Sequence, residues 1–412
     1  MLSELELTMA RGRAAGVTQR VASVIERDGR TVRLDPDGHP VVSFATCSYL
    51  GLDRDDRLAQ GAIDAVLRCG VSFSASRCFV TSPLYGEAEE LLARIFDRPV
   101  VLAGSTTLAH GAALPILVDR SDVVLFDRQV HHSVQTALAA LGPRGPRREP
   151  VKHADIDALE DGVRRAIEAG ARRVWYCADG IYSMFGDRLP TAALAALMQR
   201  YDALWAYLDD AHGMSWCGSR GAGSLIDAGL PRERTVLATS LSKGFGCAGG
   251  VLAVPDIATK HRIENLGPSL MFSIQIPPPI LGAIRASAQL HLAPELAQLQ
   301  AELAERVVLA RAAIAAVPAV AARLVETTGE PTPILYVVLG TADQAIAAAS
   351  QLLASGFLVN PVAFPAVPMN MGGLRCTITR SHTAQDLHDL VSAIERVVTT
   401  VSGETRPSSS CR

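Results

Sequence analysis

The chain has no excess of basic residues: 39 lysines and arginines stand against 42 acidic residues, for a formal net charge of −3. Without a basic field there is no electrostatic case for a nucleic-acid partner. The eight cysteines, at positions 47, 69, 78, 177, 217, 247, 376 and 411, form no CxxC pair and share no repeated spacing. Neither a zinc site nor a disulfide framework is expected, and the cysteines read as reduced thiols in a cytoplasmic protein. No apolar run reaches membrane-spanning length, and MLSELELTMARGRAAG lacks the basic-then-apolar order of a signal peptide. No membrane association is expected.

What is present is a chain of 412 residues, 49% hydrophobic and 20% charged, long enough for a large core and for two or three domains. Val17, Val21, Val24 and Ile25 fall at helical spacing before RDGR, which predicts an amphipathic helical segment over residues 1–45. From about Glu87 to Val254, short β-branched apolar runs alternate with helical stretches. The runs begin at Val100, Asp122, Arg173, Ala203 and Thr235. This alternation predicts an α/β domain over 46–275, a mostly parallel sheet covered by helices on both faces. Pro277 to Pro279 then mark a crossing into a smaller α+β domain over 276–400. The tail 401–412 is polar and reads as disordered.

Several turns after predicted strands carry residues suited to chemistry. Lys243, in LATSLSKGFG, follows an apolar strand end and precedes a Gly-Phe-Gly turn, an unusual place for a surface charge. Asp209 and His212, in YLDDAHG, follow the preceding strand. In an open parallel sheet, ligands gather at the C-terminal ends of strands, so acid and lysine reach one crevice. A lysine that forms an imine with an aldehyde cofactor needs such a carboxylate to keep the cofactor's pyridine nitrogen protonated. Alone, DDAHG reads equally well as a capping turn. LAGSTTLAHGAAL places Gly104, Ser105 and Thr106 between a strand and a helix N-terminus, where backbone N–H groups bind phosphate, although Gly-Ser-Thr is also a common cap. That stretch lacks both the G-x-G-x-x-G fingerprint and the P-loop signature of nucleotide sites. His131, in FDRQVHHSVQTAL, stands where an imidazole stacks on a flat ring, while a helix cap or solvated ring is the plainer role for His132.

YLGL at Tyr49, DRQVHHS at Asp127, DGIYSMFGD at Asp179, DDAHG at Asp209 and SLSKGFG at Ser240 occur in the order and spacing of a known family. From about residue 40 to 400 the chain resembles the α-oxoamine synthases, pyridoxal-phosphate transferases of fold type I. The resemblance implies that Lys243 is the Schiff-base lysine and the acid–base group at the substrate Cα. It also implies that Asp209 pairs with the pyridinium, that His212 donates to the ring hydroxyl and that His131 stacks on the ring. Ser183 matches a serine of the family turn. Gly104 and Ser105 occupy the phosphate turn, with Ser105 in place of an aromatic residue, and Ser240 replaces a phosphate-binding threonine. Ser273 falls where the family reaches the phosphate from a neighbouring subunit of a homodimer. Arg375, in GGLRCTITRSHT, matches the arginine that holds the substrate carboxylate.

Two positions depart from the family pattern, Cys47 in place of an asparagine that helps hold the carboxylate and Tyr85 in place of a histidine. Both bear on the substrate rather than the cofactor. The implied reaction condenses an α-amino acid with an acyl thioester, carried on coenzyme A or a carrier protein, with decarboxylation to an α-aminoketone. The rival readings are a fold type I aminotransferase or lyase, and a non-catalytic partner subunit of the kind that lacks the lysine.

Overall fold

The computed structural model describes residues 2–35 and 38–403. They form two compact units, one made of residues 52–182 and 188–300, the other of the described residues up to 51, residues 183–187 and residues 301–403. The chain passes between them after Gln300 and not at the Pro277–Pro279 stretch. Those prolines instead start a helix, Pro278–His291, that packs on helices Asp56–Cys69 and Pro83–Phe96 within the first unit. Proline is tolerated there because the first-turn N–H groups have no intrahelical acceptor.

The first unit is built on a seven-stranded sheet. Its order is Val100–Ala103, Gly250–Ala253, Thr235–Ser240, Leu204–Asp209, Val174–Asp179, Val123–Asp127, Arg147–Val151. All pairs are parallel except those of Gly250–Ala253, which runs antiparallel to both its neighbours. Strand alternation sends Leu125, Tyr176, Leu208 and Leu237 into one apolar cluster and Val124, Trp175, Tyr207 and Val236 into another. Two buried faces explain why these strands read as continuous apolar runs. Arg147–Val151 escaped that criterion because RREPV is an edge strand, partly open to solvent, where proline and charge are tolerated.

The second unit holds two smaller sheets. Strands Ala22–Ile25, Thr31–Leu34, Pro40–Ser43 and Phe357–Leu358 form one, and Ile334–Gly340, Gly372–Thr377 and Asn360–Val362 form the other. The helical segment expected over residues 1–45 is corrected here: the N-terminal helix is Leu2–Ala14, and RDGR is the turn of a hairpin. Gly29 takes a φ of 73° while Asp28 Oδ1 accepts the Arg30 and Thr31 N–H groups. An Asp-Gly turn between β-branched residues favours strands, and the helical spacing of four apolar residues did not outweigh it. The last helix, Ala384–Gly403, includes positions 401–403 of the expected tail, and the rest of that tail lies outside the described residues. No described helix is long and apolar enough to cross a membrane, and no described residues cluster as metal ligands.

Candidate active site

Three neighbouring parallel strands of the first unit, Val123–Asp127, Val174–Asp179 and Leu204–Asp209, each end in an aspartate. Asp127, Asp179 and Asp209 are all buried, and Asp179 pairs with Asp209 across the ladder. Three like charges cannot share a dry edge at equal cost, so their partners decide which of them ionise. Asp127 accepts from the Gln129 and Ala154 N–H groups at 2.7 and 2.9 Å, from Tyr182 Oη at 2.8 Å, and pairs with His153 Nδ1 at 3.0 Å. Burial opposes its charge, but these donors hold its pKa below the usual carboxylate range.

Asp209 accepts from His110 Nε2 at 3.1 Å and from the Ala211 N–H at 3.0 Å. The ionised carboxylate can only accept, which puts the ring proton on Nε2, and Nδ1 then accepts from Tyr207 Oη at 2.7 Å. Burial would raise the Asp209 pKa, yet the His110 hydrogen bond and the Lys243 charge help bring it below normal. Asp179 lacks such donors: its carboxylate accepts the His131 N–H at 3.1 Å, and burial together with the Asp209 charge pushes its pKa well up. Of the two, Asp209 is the carboxylate held toward its ionised form and Asp179 the one pushed toward its protonated form.

His131 is the N-cap residue, which leaves His132, of the two roles expected for it, the solvated ring. The His131 Nδ1 lies 2.7 Å from Ser133 Oγ at the start of helix His132–Ala139, and His132 is exposed. The His131 residue is itself exposed, yet desolvation by the surrounding atoms lowers its pKa, so the imidazole is neutral at neutral pH. His212 is buried in the turn after Asp209. Lys243 is half-buried in the turn after Thr235–Ser240, its carbonyl accepting the Gly246 N–H at 2.9 Å. Its charge lowers the pKa values of Asp209, Asp179 and His131 together, which puts the lysine in the field of all three.

Helix Thr106–Leu117 begins at the end of Val100–Ala103, with Ser105 Oγ capping the Leu108 N–H at 3.2 Å. Both readings of Ser105 thus remain compatible, since the cap uses an acceptor lone pair and not the hydroxyl proton. Gly250 passes so close that a Cβ there would lie 2.5 Å from the Thr106 nitrogen. Ser240 Oγ, on the strand beside Gly250, meets Ser242 Oγ at 2.7 Å. This crowding of amides and hydroxyls around a helix start suits an anion, and the ionised Asp209 suits a protonated pyridine nitrogen. The donor set therefore fits pyridoxal phosphate.

In the second unit Arg375 is buried, its guanidinium donating through Nε to the Ser183 carbonyl at 2.7 Å and through Nη1 to Thr377 Oγ1 at 3.0 Å. Nη2 lies 3.7 Å from Cys47 Sγ. The Tyr49 hydroxyl also engages this guanidinium, whose planar set of terminal N–H groups has the shape that matches a carboxylate. Ser183 contributes its carbonyl to this arrangement. Ser273 Oγ reaches only its neighbour, the Ile274 carbonyl, at 3.5 Å. Tyr85 sits in the first unit, where Oη accepts the Ile276 N–H at 2.7 Å and Arg77 covers the ring at 4.6 Å. His110 and His153 were not singled out from sequence, and Asp127 entered only as the first residue of a motif. His110 sits in GSTTLAHG with nothing local to mark it, because its partner Asp209 is 99 residues away.

The aminotransferase class I and II family matches residues 39–394. The 8-amino-7-oxononanoate synthase of Geobacter sulfurreducens is 33% identical over 397 residues, covering 94% of this chain and 98% of its own length. That of Dechloromonas aromatica is 30% identical, covering 95% and 98%. Among solved structures, the serine palmitoyltransferase of Sphingomonas wittichii superposes with a TM-score of 0.86 at 20% identity, over 98% of this chain and 97% of that one. The 8-amino-7-oxononanoate synthase of Francisella tularensis superposes with a TM-score of 0.70 at 18% identity, over 87% and 98%. Matched along nearly its whole length, in sequence as in fold, the chain belongs to the α-oxoamine synthase family, the pyridoxal phosphate-dependent C-acyltransferases of fold type I.

Proposed function

We propose that the enzyme joins the Cα of an α-amino acid to the acyl carbon of a thioester and releases the thiol and carbon dioxide. The product is an α-aminoketone. The Cα–H, Cα–carboxylate and C–S bonds break and the Cα–acyl and new Cα–H bonds form; the proton released from Cα and one taken from solvent end on Cα and on the thiolate. The cofactor, when bound, supplies an electron sink for the pair left at Cα. The observation that carries the reading is Asp209, a buried carboxylate kept ionised beside Lys243 by His110.

The residues divide the work by chemistry. Asp209 holds the proton on the pyridine nitrogen, His212 donates to the ring hydroxyl, and neutral His131 packs against the ring face. Gly104, Ser105, Thr106 and Ser240 receive the phosphate, with Ser273 added from a second copy. Lys243 anchors the cofactor and then moves the proton at Cα. Arg375 takes the substrate carboxylate, and Cys47, in place of an amide, leaves that grip with one strong donor fewer. Ser183 sets the arginine by offering its carbonyl.

The working form is a homodimer. Phe79 and Phe272 are 86% and 85% exposed, and Val71, Val80, Leu266 and Ile274 are exposed beside them in sequence. Ser76 and Gln275 tie the two segments together through the carbonyls of Met271, Ala75 and Val80. A patch of this kind marks an association surface, and a second copy is its occupant.

The deciding experiment supplies holoenzyme with a panel of amino acids and acyl thioesters and follows thiol release and product mass, with Lys243→Ala as the blank. An aminoketone lacking the carboxylate is expected. Keto-acid formation without thioester consumption would overturn the reading in favour of an aminotransferase.

A further inference from the structure

His291 is the last residue of helix Pro278–His291, and its imidazole is 1% exposed. Both ring nitrogens are engaged. Nδ1 lies 2.8 Å from the Ser287 carbonyl, which can only accept, so Nδ1 carries the proton. Nε2 then accepts from Ser215 Oγ at 2.9 Å. Ser287 Oγ in turn donates to the Phe245 carbonyl at 2.7 Å, and the Phe245 ring lies against the imidazole with centroids 4.5 Å apart. A hydrocarbon would fill this interior position without the cost of satisfying two ring nitrogens.

What the imidazole meets at each end gives the reason for it. Phe245 lies two residues after Lys243, and Ser215 three residues after His212. Ser215 is fully buried with a φ of 78°, a left-handed conformation that a residue with a Cβ holds only under constraint. Three bonds supply that constraint: its N–H donates to Gly221 O at 2.7 Å, its carbonyl accepts from Gln300 at 3.0 Å, and its hydroxyl meets His291.

We propose that His291 is a positioning residue which, by its hydrogen bond to Ser215 and its ring contact with Phe245, ties the turn carrying Lys243 to the turn carrying His212. It touches neither substrate nor cofactor and acts by holding the two turns in one register. The proposal rests on the roles given above to Lys243 and His212. Burial keeps the ring neutral, with a pKa pushed down to about 4, so the tie stays in its neutral form at neutral pH.

The test compares holoenzyme carrying His291→Leu, which removes both bonds at similar volume, with Ser215→Ala, which removes only the far hydroxyl. A third variant, His291→Gln, can donate to Ser287 O and accept from Ser215. We measure kcat and KM, the rate of pyridoxal-phosphate release, and the pH titration of the visible chromophore that Lys243 forms with the cofactor, all well below each variant's Tm. For His291→Leu and Ser215→Ala, kcat should fall on the order of tenfold with little change in KM, the scale of a small misplacement of reacting groups. The chromophore's titration midpoint should shift, cofactor release should quicken, and His291→Gln should restore part of each. A lowered Tm with wild-type kcat and an unmoved titration in both variants would overturn the proposal and leave His291 as a packing residue. Should His291→Leu fail to fold, Ser215→Ala alone decides. A chromophore that survives in Lys243→Ala would sink the lysine assignment itself, a different failure that takes this proposal with it.

Discussion

Replacing His110 by leucine isolates the group that keeps Asp209 charged. In the wild type, Asp209 has one side-chain donor, His110 Nε2 at 3.1 Å, and one backbone donor, the Ala211 N–H at 3.0 Å. Leucine keeps much of the volume and removes the side-chain donor. A hydrogen bond to a charged group is worth about 1.5–3 kcal/mol, or roughly one to two pK units. Burial then acts on Asp209 against weaker opposition, and its folded pKa rises. The change also strips the buried Tyr207 hydroxyl of its acceptor at 2.7 Å, a further cost of about 1–3 kcal/mol.

The pH dependence weakens with the substitution. In the wild type the folded Asp209 pKa lies below the unfolded value, so its contribution to stability is present above that unfolded value and is lost as pH falls through the folded one. In His110→Leu the folded pKa rises, so the variant lacks part of this contribution at neutral pH and loses none of it at acid pH, where neither protein has it. Urea unfolding of the cofactor-free protein at pH 5 and pH 8 should show a deficit that widens with pH. Cofactor dissociation should strengthen roughly ten- to a hundredfold at pH 8, the equivalent of one to two pK units. Adding Tyr207→Phe should recover the tyrosine share of the loss and leave the pH slope in place. Equal deficits at both pH values, together with unchanged cofactor affinity, would refute the claim that His110 sets the Asp209 charge.

Two further substitutions address buried polar groups beside the site. Asp210 is 2% exposed, accepts from Ser224 Oγ at 2.8 Å, and is so closely packed that a Cβ at Gly180, Gly213 or Gly223 would meet its carboxylate at 2.5 Å or less. Burial lifts its pKa from 3.8 to about 7, so the wild type loses stability as pH rises through that window. Asp210→Asn mimics the protonated form and should gain on the wild type by up to about 4 kcal/mol between pH 4 and pH 8 in urea unfolding; parallel pH profiles would count against this. Tyr85→Phe leaves the buried Ile276 N–H without its acceptor and should cost about 1–3 kcal/mol in the same assay. A loss of turnover without a loss of stability would instead mean that Tyr85 acts on the substrate.

The parts of the fold legible in the chain were those whose signal is local. Strands buried on both faces are unbroken apolar runs, and the turns after them carry Lys243, Asp209, His131 and Ser105 within a few residues of the strand end. Arg147–Val151 and Gly250–Ala253 were missed because one is a polar edge strand and the other four residues in a glycine-rich stretch. The N-terminal hairpin was read as helix because four apolar residues satisfy a period of 3.6 by chance. His110 and His291 carry no local mark at all, since their partners Asp209 and Ser215 lie 99 and 76 residues away.

The three aspartates separate the two kinds of information. Asp127, Asp179 and Asp209 look alike in the chain, each following an apolar strand, and that position by itself brings a carboxylate to the edge where ligands bind. Which of them is ionised was decided only when the fold brought His153 to Asp127 and His110 to Asp209 and left Asp179 with a backbone N–H. The sequence determined by itself which chemical groups stand at the strand ends, because strand and turn form from neighbouring residues. Their charges were settled by tertiary structure, because a buried carboxylate ionises only where distant parts of the chain supply its donors.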